Sequence, residues 1–191
     1  MDWFPSYNFI LASKSPRRKE LLSGLGIPFV VMLSDVPEIF PDHLSVYEIP
    51  VFLAELKAKS FTGILHENDL VITADTIVAL DGKVLNKPAD REEARQMLQM
   101  LSGREHQVIT GICLISLSKQ KSFYDVSGVV FKDLTESEIE YYLDHFKPYD
   151  KAGAYGIQEW IGLIGIKAIE GSDFNVVGLP VQKLYDEIRR F

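Results

Sequence analysis

The sequence contains one cysteine, no long apolar run and fewer basic than acidic residues. Cys113 lies in the apolar run TGICLISL, so a buried core thiol is expected rather than a nucleophile or ligand, and a single cysteine cannot form an internal disulfide. No stretch approaches the roughly 18 apolar residues that a membrane-crossing helix requires. The first residues, MDWFPSYN, lack the basic and then apolar order of a signal peptide. These absences predict a soluble, cytoplasmic protein.

The charge balance excludes one class of partner. Twenty Lys and Arg residues against 27 Asp and Glu residues give a net charge of -7, so a nucleic-acid backbone would be repelled over most of the surface. Any polyanion site must therefore be local, and neither a nucleic acid nor a membrane is expected as a partner. With 191 residues, 47% of them hydrophobic, the chain is expected to form one domain over 1–191, with two lobes and no independent second domain.

Short strands and helices alternate along the first part of the chain. NFILA and PFVVML are typical of short buried strands, and the helix predicted between them begins at Pro16 with an apolar face of leucines. A second helix is predicted from about Pro50 to Phe61. Ser45 and Glu48 form a competing capping box, but Pro50 would then lie inside the helix, so we place Pro50 in its first turn.

The later part of the chain carries clearer turn and cap signals. The strand LVITAD is followed by TIVALDGKVLN, where Asp-Gly between two β-rich runs predicts a hairpin. One helix is capped at Asp90 and ends before Gly103, and another opens at Thr135 with Glu138 completing a capping box. HQVITGICLISL, KSFYDVSGVVFK and GLIGIKAI are expected to be strands, and Pro180 to begin a terminal helix. Hairpins and crossovers together predict a mixed α/β protein with a largely antiparallel or mixed sheet.

The stretch ILASKSPRRKELLSGLG, residues 10–26, concentrates donors at a predicted helix N-terminus. Backbone N–H groups and the helix dipole favour an anion there, and Ser13, Ser15, Arg17 and Arg18 could surround a phosphate chain. In the alternative, Ser15 only caps the helix and the arginines are solvated. The stretch contains neither G-x-x-x-x-G-K-[ST] nor G-x-G-x-x-G, so it is neither a P-loop nor a Rossmann site.

Other polar residues could act on a phosphate or a metal. Asp75 is predicted at the end of the strand LVITA, where a carboxylate suits a metal ligand or a base that activates water, although a turn-forming Asp is commoner. Lys57 and Lys59 share a helix, and one of them is expected to point inward. Lys87 precedes Pro88 in an extended loop, from which its ammonium can reach a phosphate.

Seven segments resemble the successive motifs of one family, in order, from about residue 10 to residue 181. They are LASKSPRRKELL, KAKS, ADTIV, KP, LSGREHQVITG, DKAGAYGIQ and GSDFNVVGLP. The chain resembles the Maf family of nucleoside triphosphate pyrophosphatases, and DKAGAYGIQ (150–158) is similar to the branch that acts on dTTP and UTP. The resemblance implies hydrolysis between the α and β phosphates with a divalent cation, Mg²⁺ or Mn²⁺. It also implies an elongated, twisted mixed sheet flanked by helices, with a cleft between two lobes, similar to the inosine triphosphate pyrophosphatases.

The resemblance also implies roles for individual residues. Asp75 would be the proton acceptor and, with Glu38, a metal ligand. Lys57 and Lys87 would lie around the metal and the phosphates. Nucleotide selection is implied for three residues: Arg17, Thr76 and Gln158. A triphosphate with a bound metal needs such cations, because charge develops on the pyrophosphate leaving group.

Gln158 is predicted at the end of a short strand, AYGIQ, and its base-reading role agrees with its chemistry. A glutamine amide offers one acceptor and two donors, which can match the O4 and N3-H edge of uracil or thymine. The small residues 152–154 indicate close backbone approach to the base, which would leave little room for a purine. Two positions depart from the family pattern: Glu38 follows Val-Pro where an acidic pair is usual, and Gly128 stands where an acidic or polar residue is expected.

A second class of function remains as an alternative. Proteins that resemble Maf have been linked to arrest of cell division, so the chain could be a nucleotide-binding regulator of division in which turnover is incidental. The enzyme is favoured, because a pure binder has no need for Asp75 beside a phosphate-binding turn. A pyrophosphate-release assay with a panel of nucleotides separates the two. The resemblance also suggests a homodimer.

Overall fold

A computed structural model of the chain describes residues 4–191. The predicted absence of a targeting segment in MDWFPSYN falls in part on residues 1–3, which lie outside the described residues. The strands are β1 (Asn8–Leu11), β2 (Phe29–Val31), β3 (Asp69–Leu80), β4 (Lys83–Leu85), β5 (Glu105–Ile115), β6 (Gln120–Phe131) and β7 (Ile166–Glu170). The helices are α1 (Pro16–Gly24), α2 (Glu48–Lys59), α3 (Arg91–Leu101), α4 (Glu136–Phe146), α5 (Trp160–Gly165), α6 (Asp173–Val177) and α7 (Val181–Arg189).

These strands form one mixed sheet, in the order β2-β1-β3-β5-β6-β7, with β4 paired to β3. β1 runs parallel to both β2 and β3, whereas β3 with β4 and β6 with β7 are antiparallel. The parallel neighbours are joined through α1 and α2, as crossover connections require. The predicted mixed α/β class, with both hairpins and crossovers, is confirmed. Among residues 4–191, none of the helices is long and apolar enough to cross a membrane.

The chain divides into two compact units. The described residues of the first unit are 4–75, 110–125 and 178–191, and the second unit comprises 76–109 and 126–177. Strands β3, β5 and β6 each contribute residues to both units. Each unit has its own buried apolar residues.

The first unit has buried clusters on both faces of its strands. Alternate residues of a strand point to opposite faces. Leu70 and Ile72 accordingly belong to a cluster with the α1 residue Leu22, whereas Val71 belongs to a second cluster with α2. Cys113 lies fully buried in this second cluster, and burial raises the pKa of its thiol to about 11. The prediction of a core thiol is therefore confirmed.

The start of α2 contains both Pro50 and the interaction of Ser45 with Glu48, which were expected to exclude each other. The backbone N–H and hydroxyl of Ser45 donate to the Glu48 carboxylate at 2.9 and 2.7 Å, and the helix begins at Glu48. Pro50 is then the third helical residue, where a backbone N–H would have no partner within the helix, so the proline is tolerated. The predicted place of Pro50 in the first turn is therefore confirmed, and the helix begins two residues before Pro50.

The second unit is built from a hairpin and two capped helices. Asp81 and Gly82 have φ values of 51° and 75° and join β3 to β4 in a two-residue turn, as predicted. Asp90 caps α3 by accepting a hydrogen bond from the Glu93 N–H at 2.9 Å. The predicted capping box, formed by Thr135 and Glu138, opens α4. These elements cover an apolar cluster that includes residues of β3, β5, β6, α3 and α4.

Two predicted strands differ from the structure, because a short apolar run does not by itself distinguish a buried strand from other structures. PFVVML forms only the short edge strand β2 and is not buried, since Val30 is 58% and Leu33 59% exposed. GLIGIKAI begins within α5 and becomes extended only in β7. Gly162 permits this tight helical turn, because a Cβ there would overlap the carbonyl group of Ile157.

Gly128 has a steric and electrostatic reason to depart from the family pattern. It pairs with Glu170 across β6 and β7, and a Cβ at this position would lie 3.1 Å from a carboxylate oxygen of Glu105. An acidic side chain here would therefore meet a like charge at close range, which is destabilising on a sheet surface.

Gly111 of β5 lies against the start of α2. A Cβ at this position would overlap the carbonyl group of Pro50 and the backbone nitrogen of Val51. We expect Gly111→Ala to lower the free energy of unfolding by about 2–3 kcal/mol, the upper part of the range for overpacking, because backbone atoms cannot rotate away. Urea unfolding followed by circular dichroism measures this loss.

Gly24→Ala is the matched control. Gly24 ends α1, and a Cβ there would have no atom within 4 Å, so stability should stay unchanged or rise by up to about 1 kcal/mol. Equal unfolding midpoints for the two variants would contradict the close approach of α2 to β5.

Candidate active site

The turn between β1 and α1 uses its hydroxyl groups as local acceptors. The Ser15 hydroxyl accepts a hydrogen bond from the Arg18 backbone N–H at 3.3 Å, and the Ser13 hydroxyl accepts one from the Ser15 N–H at 3.2 Å. Ser15 is therefore the N-cap of α1. Because both hydroxyls act as acceptors in these contacts, each retains a proton that can be donated to a ligand. Their phosphate-binding role stays a prediction.

The adjacent arginines of this turn have different surroundings. Arg18 Nε donates to the Gly178 carbonyl at 2.8 Å, and Nη1 donates to the Ala74 carbonyl at 2.9 Å. Arg18 thus links α1 to β3 and to the segment that precedes α7, so the interpretation that both arginines are merely solvated is wrong. Arg17 is half-buried in the first turn of α1.

Asp75 lies inside β3 and not at its end. The run TIVAL, which follows Asp75, continues the same strand to the hairpin, so the predicted strand-end position was wrong. The residue is only 8% exposed. An unpaired carboxylate at such a depth would cost several kcal/mol, so the position requires a cationic or hydrogen-bonding partner.

Lys57 of α2 supplies this partner. Its Nζ lies 2.5 Å from Asp75 Oδ1 and 2.8 Å from Glu38 Oε1. The side chains of Lys57 and Asp75 are 13% and 12% exposed, whereas that of Glu38 is 44% exposed, so the two nearly buried groups meet a carboxylate that solvent reaches. Lys59 is exposed, which confirms that one of the two lysines points inward.

Arg18 adds a second cation to this group. Burial lowers the pKa of the Arg18 guanidinium, and the charges of Asp75 and Glu38 act in the opposite direction. We call Arg18, Lys57, Asp75 and Glu38 the charge cluster; it has two positive and two negative groups. An anion would compete with the carboxylates for the cations, and a cation would compete for the carboxylates. The charge cluster therefore suits a ligand that brings both charges together, such as a metal-bound polyphosphate.

The carboxylates of the charge cluster fit a hard divalent cation in an open site. Among residues 4–191, no group of three or more His, Cys, Asp or Glu side chains is arranged to hold a metal ion. Mg²⁺, however, is commonly bound through one or two carboxylates together with waters and substrate phosphates. Asp75 and Glu38 contact the same Lys57 Nζ, so the two carboxylates already share one positive charge.

Three predicted site residues belong to the second unit: Thr76, Lys87 and Gln158. Thr76 follows Asp75 in β3 and is half-buried. Lys87 is exposed after β4 and precedes the buried Pro88. Gln158 is exposed. Their contacts with a nucleotide stay predictions.

Gln158 was predicted at the end of a strand, but it lies in a turn. The Glu159 N–H donates to the Gly156 carbonyl at 3.0 Å and closes this turn. Just before it, Gly153 and Ala154 have positive φ values of 68° and 58°. Two successive left-handed residues reverse the chain direction, which prevents the extended structure that the apolar letters of AYGIQ favoured.

The residues that hold this turn were not predicted. Tyr142 Oη accepts a hydrogen bond from the Gly156 N–H at 3.1 Å and donates one to the Glu159 carboxylate. Lys151 Nζ lies 2.8 Å from the same carboxylate. In the sequence Tyr142 is indistinguishable from a core aromatic residue of α4, whereas the charges of Lys151 and Glu159 on either side of AGAYGIQ were an available signal.

The comparison with protein families gives a match over nearly the whole chain. The family model described as Maf-like protein matches residues 8–191. The chain belongs to the Maf family. The matched range includes residues of both units and all of the predicted site residues.

Curated relatives of this Maf-like protein share about half of its residues. A dTTP/UTP pyrophosphatase of Phocaeicola vulgatus is 55% identical over 185 residues, which cover 96% of each chain. The protein of the same name from Bacteroides thetaiotaomicron is 56% identical with the same coverage. A third, from Porphyromonas gingivalis, is 49% identical and covers 100% of this chain and 98% of the relative.

Similar solved structures are more distant. The Staphylococcus aureus Ham1 protein has a TM-score of 0.48 and 18% identity, and the match covers 66% of this chain and 72% of that chain. A nucleoside-triphosphatase / dITP/XTP pyrophosphatase from Mycobacterium abscessus has a TM-score of 0.40 and 14% identity, with coverage of 65% and 72%. Likenesses at this level support no conclusion about function.

The contacts of Arg18 predict that Arg18→Lys is destabilising. A lysine cannot reproduce the two bonds of Nε and Nη1 to the carbonyls of Gly178 and Ala74. We expect the free energy of unfolding to fall by about 1.5–3 kcal/mol, the range for hydrogen bonds to charged groups. Urea unfolding tests this, with Arg17→Lys, the same substitution one residue earlier, as the control. Equal losses in the two variants would show that Arg18 has no special structural role.

Proposed function

We propose that this Maf-like protein is a dTTP/UTP pyrophosphatase that hydrolyses the α–β phosphoanhydride bond and releases a nucleoside monophosphate and pyrophosphate. Relatives that are 49–56% identical over nearly the whole chain carry this name. The single observation that carries the proposal is the buried Asp75 carboxylate, held by Lys57 Nζ at 2.5 Å within the charge cluster. Such a carboxylate suits a hydrolytic step better than binding alone.

Asp75 acts on the attacking water. Its carboxylate accepts a proton as the water oxygen bonds to phosphorus, and the phosphoanhydride bond breaks so that pyrophosphate leaves with the electron pair. A positioned general base typically contributes 10²–10⁴-fold to such a rate. The rigid interior of β3 fixes the carboxylate, and the contact with Lys57 fixes its rotation.

The cations act on the phosphates. When a triphosphate binds, the Lys57 ammonium exchanges part of its contact with Asp75 and Glu38 for phosphate oxygens. Arg17, in the first turn of α1, offers a planar fork that matches phosphate geometry. Lys87 adds a further ammonium on its exposed loop. These charges neutralise the pyrophosphate as it leaves, which is the main electrostatic requirement of the reaction.

Asp75 and Glu38 are the residues that would hold a divalent cation, Mg²⁺ or Mn²⁺. When bound, such a cation supplies charge neutralisation and orientation of the triphosphate. Glu38 is the more exposed of the two carboxylates, so it can turn towards the cation at little cost in packing.

Gln158 reads the base in this proposal. Its exposed amide, presented on the 156–159 turn, can pair with both the carbonyl and the N-H of a uracil or thymine edge. Cytosine offers an amino donor and a bare ring nitrogen instead, so the amide would have to flip. Thr76 and Arg17 complete nucleotide selection, as in the family resemblance. We further propose one Maf-like domain over residues 1–191, a cytoplasmic location and a homodimer.

Asp75→Asn tests the catalytic role directly. The substitution preserves size and removes the charge, so kcat should fall by at least about 100-fold while nucleotide binding changes less. A pyrophosphate-release assay measures the rate, and equilibrium titration with a non-hydrolysable analogue measures binding.

Asp69→Asn is the matched control for Asp75→Asn. Asp69 is equally buried on the same strand, but it accepts hydrogen bonds from Asn8 and from the His66 N–H, away from Lys57. This variant should lose stability and retain kcat within a few-fold. Near-normal turnover by folded Asp75→Asn would remove Asp75 from the mechanism.

A nucleotide panel tests base selection. We expect kcat/KM to be highest for dTTP and UTP among dTTP, UTP, CTP, dATP and GTP. Gln158→Leu should lower the UTP-to-CTP ratio by about 10-fold or more, since one good pair of hydrogen bonds is worth about 1–3 kcal/mol. A wild-type enzyme that prefers GTP contradicts the pyrimidine assignment, and a leucine variant that still separates UTP from CTP removes Gln158 from it.

A further inference from the structure

The 156–159 turn is held from both of its ends. Its first residue, Gly156, donates its N–H to Tyr142 Oη at 3.1 Å, and its last residue, Glu159, places its carboxylate against the same Oη. The main-chain bond from the Glu159 N–H to the Gly156 carbonyl closes the turn at 3.0 Å. Gln158 is the third residue of this turn and lies between the two held positions.

Lys151 extends this arrangement. Its Nζ lies 2.8 Å from the Glu159 carboxylate and 2.7 Å from that of Asp150, and its side chain is only 10% exposed. We call Tyr142, Lys151 and Glu159 the tyrosine clamp. Its hydrogen bonds have one direction, from the Gly156 N–H to Tyr142 Oη and from the Tyr142 O–H to Glu159. The pair of Lys151 and Glu159, whose side chains are 10% and 24% exposed, resists separation, because either charge left alone would be only partly solvated.

Two further features keep the direction and fit of the clamp fixed. Burial, together with the contact to Glu159, raises the pKa of Tyr142, so the hydroxyl stays a donor. The clamp also fills the space behind the turn, because a Cβ on Gly156 would lie 3.0 Å from the Glu159 carboxylate and 3.1 Å from Lys151 Cε. A larger residue at Gly156 would therefore displace the clamp or the turn.

We infer that the tyrosine clamp positions Gln158 and thereby sets the discrimination between uracil and cytosine. The inference rests on the proposed function, in which Gln158 reads the base. A glutamine amide can match either base, because its rotation exchanges the positions of the acceptor and the donors. Selectivity for uracil therefore requires a backbone that holds Gln158 where it suits uracil and that does not shift to suit cytosine. Rigid support around a contacting side chain supplies that requirement. The clamp residues are positioning residues and do not touch the substrate.

Tyr142→Phe tests the inference, because it removes one hydroxyl and preserves the ring. We expect the UTP-to-CTP ratio of kcat/KM to fall at least 10-fold, through a higher KM for UTP with kcat changed less than 3-fold. Amide hydrogen exchange of residues 156–159 in the free enzyme should become at least 10-fold faster. Glu159→Gln preserves size and should change the UTP-to-CTP ratio and the amide exchange rate in the same directions as Tyr142→Phe. It replaces Tyr142→Phe as the test if that variant does not fold.

Asp90→Ala is the control for a general loss of stability. It removes the N-cap of α3 in the same unit, whose hydrogen bond to the Glu93 N–H involves no clamp residue, and should lower the melting temperature without changing the base ratio or exchange at 156–159. A wild-type enzyme that prefers UTP, with Tyr142→Phe and Glu159→Gln retaining the same ratio, overturns the inference and leaves the proposed function standing. A wild-type enzyme that does not prefer UTP to CTP overturns the proposed base selection, and the inference with it.

Discussion

The ammonium of Lys57, placed between the carboxylates of Asp75 and Glu38, is the contact on which the charge cluster depends. Without it, the buried Asp75 carboxylate of β3 would lose the cation that it contacts directly, and only Arg18 of the charge cluster would remain to compensate its charge. The contact with Lys57 keeps the Asp75 charge on the rigid strand β3, next to the more exposed Glu38. The same contact that permits burial also supplies a cation for a phosphate.

The position of α2 is therefore a constraint on chemistry as well as on packing. Gly111 lets the helix backbone approach β5 without a side chain between them. The Thr73 hydroxyl, buried two residues before Asp75, donates to the Ala54 carbonyl of α2 at 2.7 Å. These two contacts set the distance from the helix to the sheet, and Lys57 lies one turn beyond Ala54. A shift of the helix by an ångström would open the 2.5 Å ion pair.

Local features of this chain were predictable and distant ones were not. The Asp81-Gly82 turn and the caps of α3 and α4 need only neighbours in the sequence, so their residue types identified them. Arg18 contacts a carbonyl 160 residues away, which no local pattern encodes. Asp75 was misplaced at a strand end, because a lone carboxylate ordinarily interrupts an apolar run, and its catalytic role stays a prediction. The role of Tyr142 depends on the 156–159 turn, which overlaps the segment AYGIQ that was predicted to be a strand.

The two groups of candidate site residues differ in how their charges are arranged, and the difference suits two tasks. In the charge cluster, the cations and carboxylates are paired with each other and partly open, so a metal-bound triphosphate can exchange partners with them without leaving a charge unsolvated. At the 156–159 turn, the charges of Lys151 and Glu159 are paired with each other, and the exposed side chain of the turn, Gln158, is neutral. A charge beside the base would attract any nucleotide through its phosphates, whereas a neutral amide distinguishes only hydrogen-bond patterns. Binding strength and base choice can thus be set by different residues of the same chain.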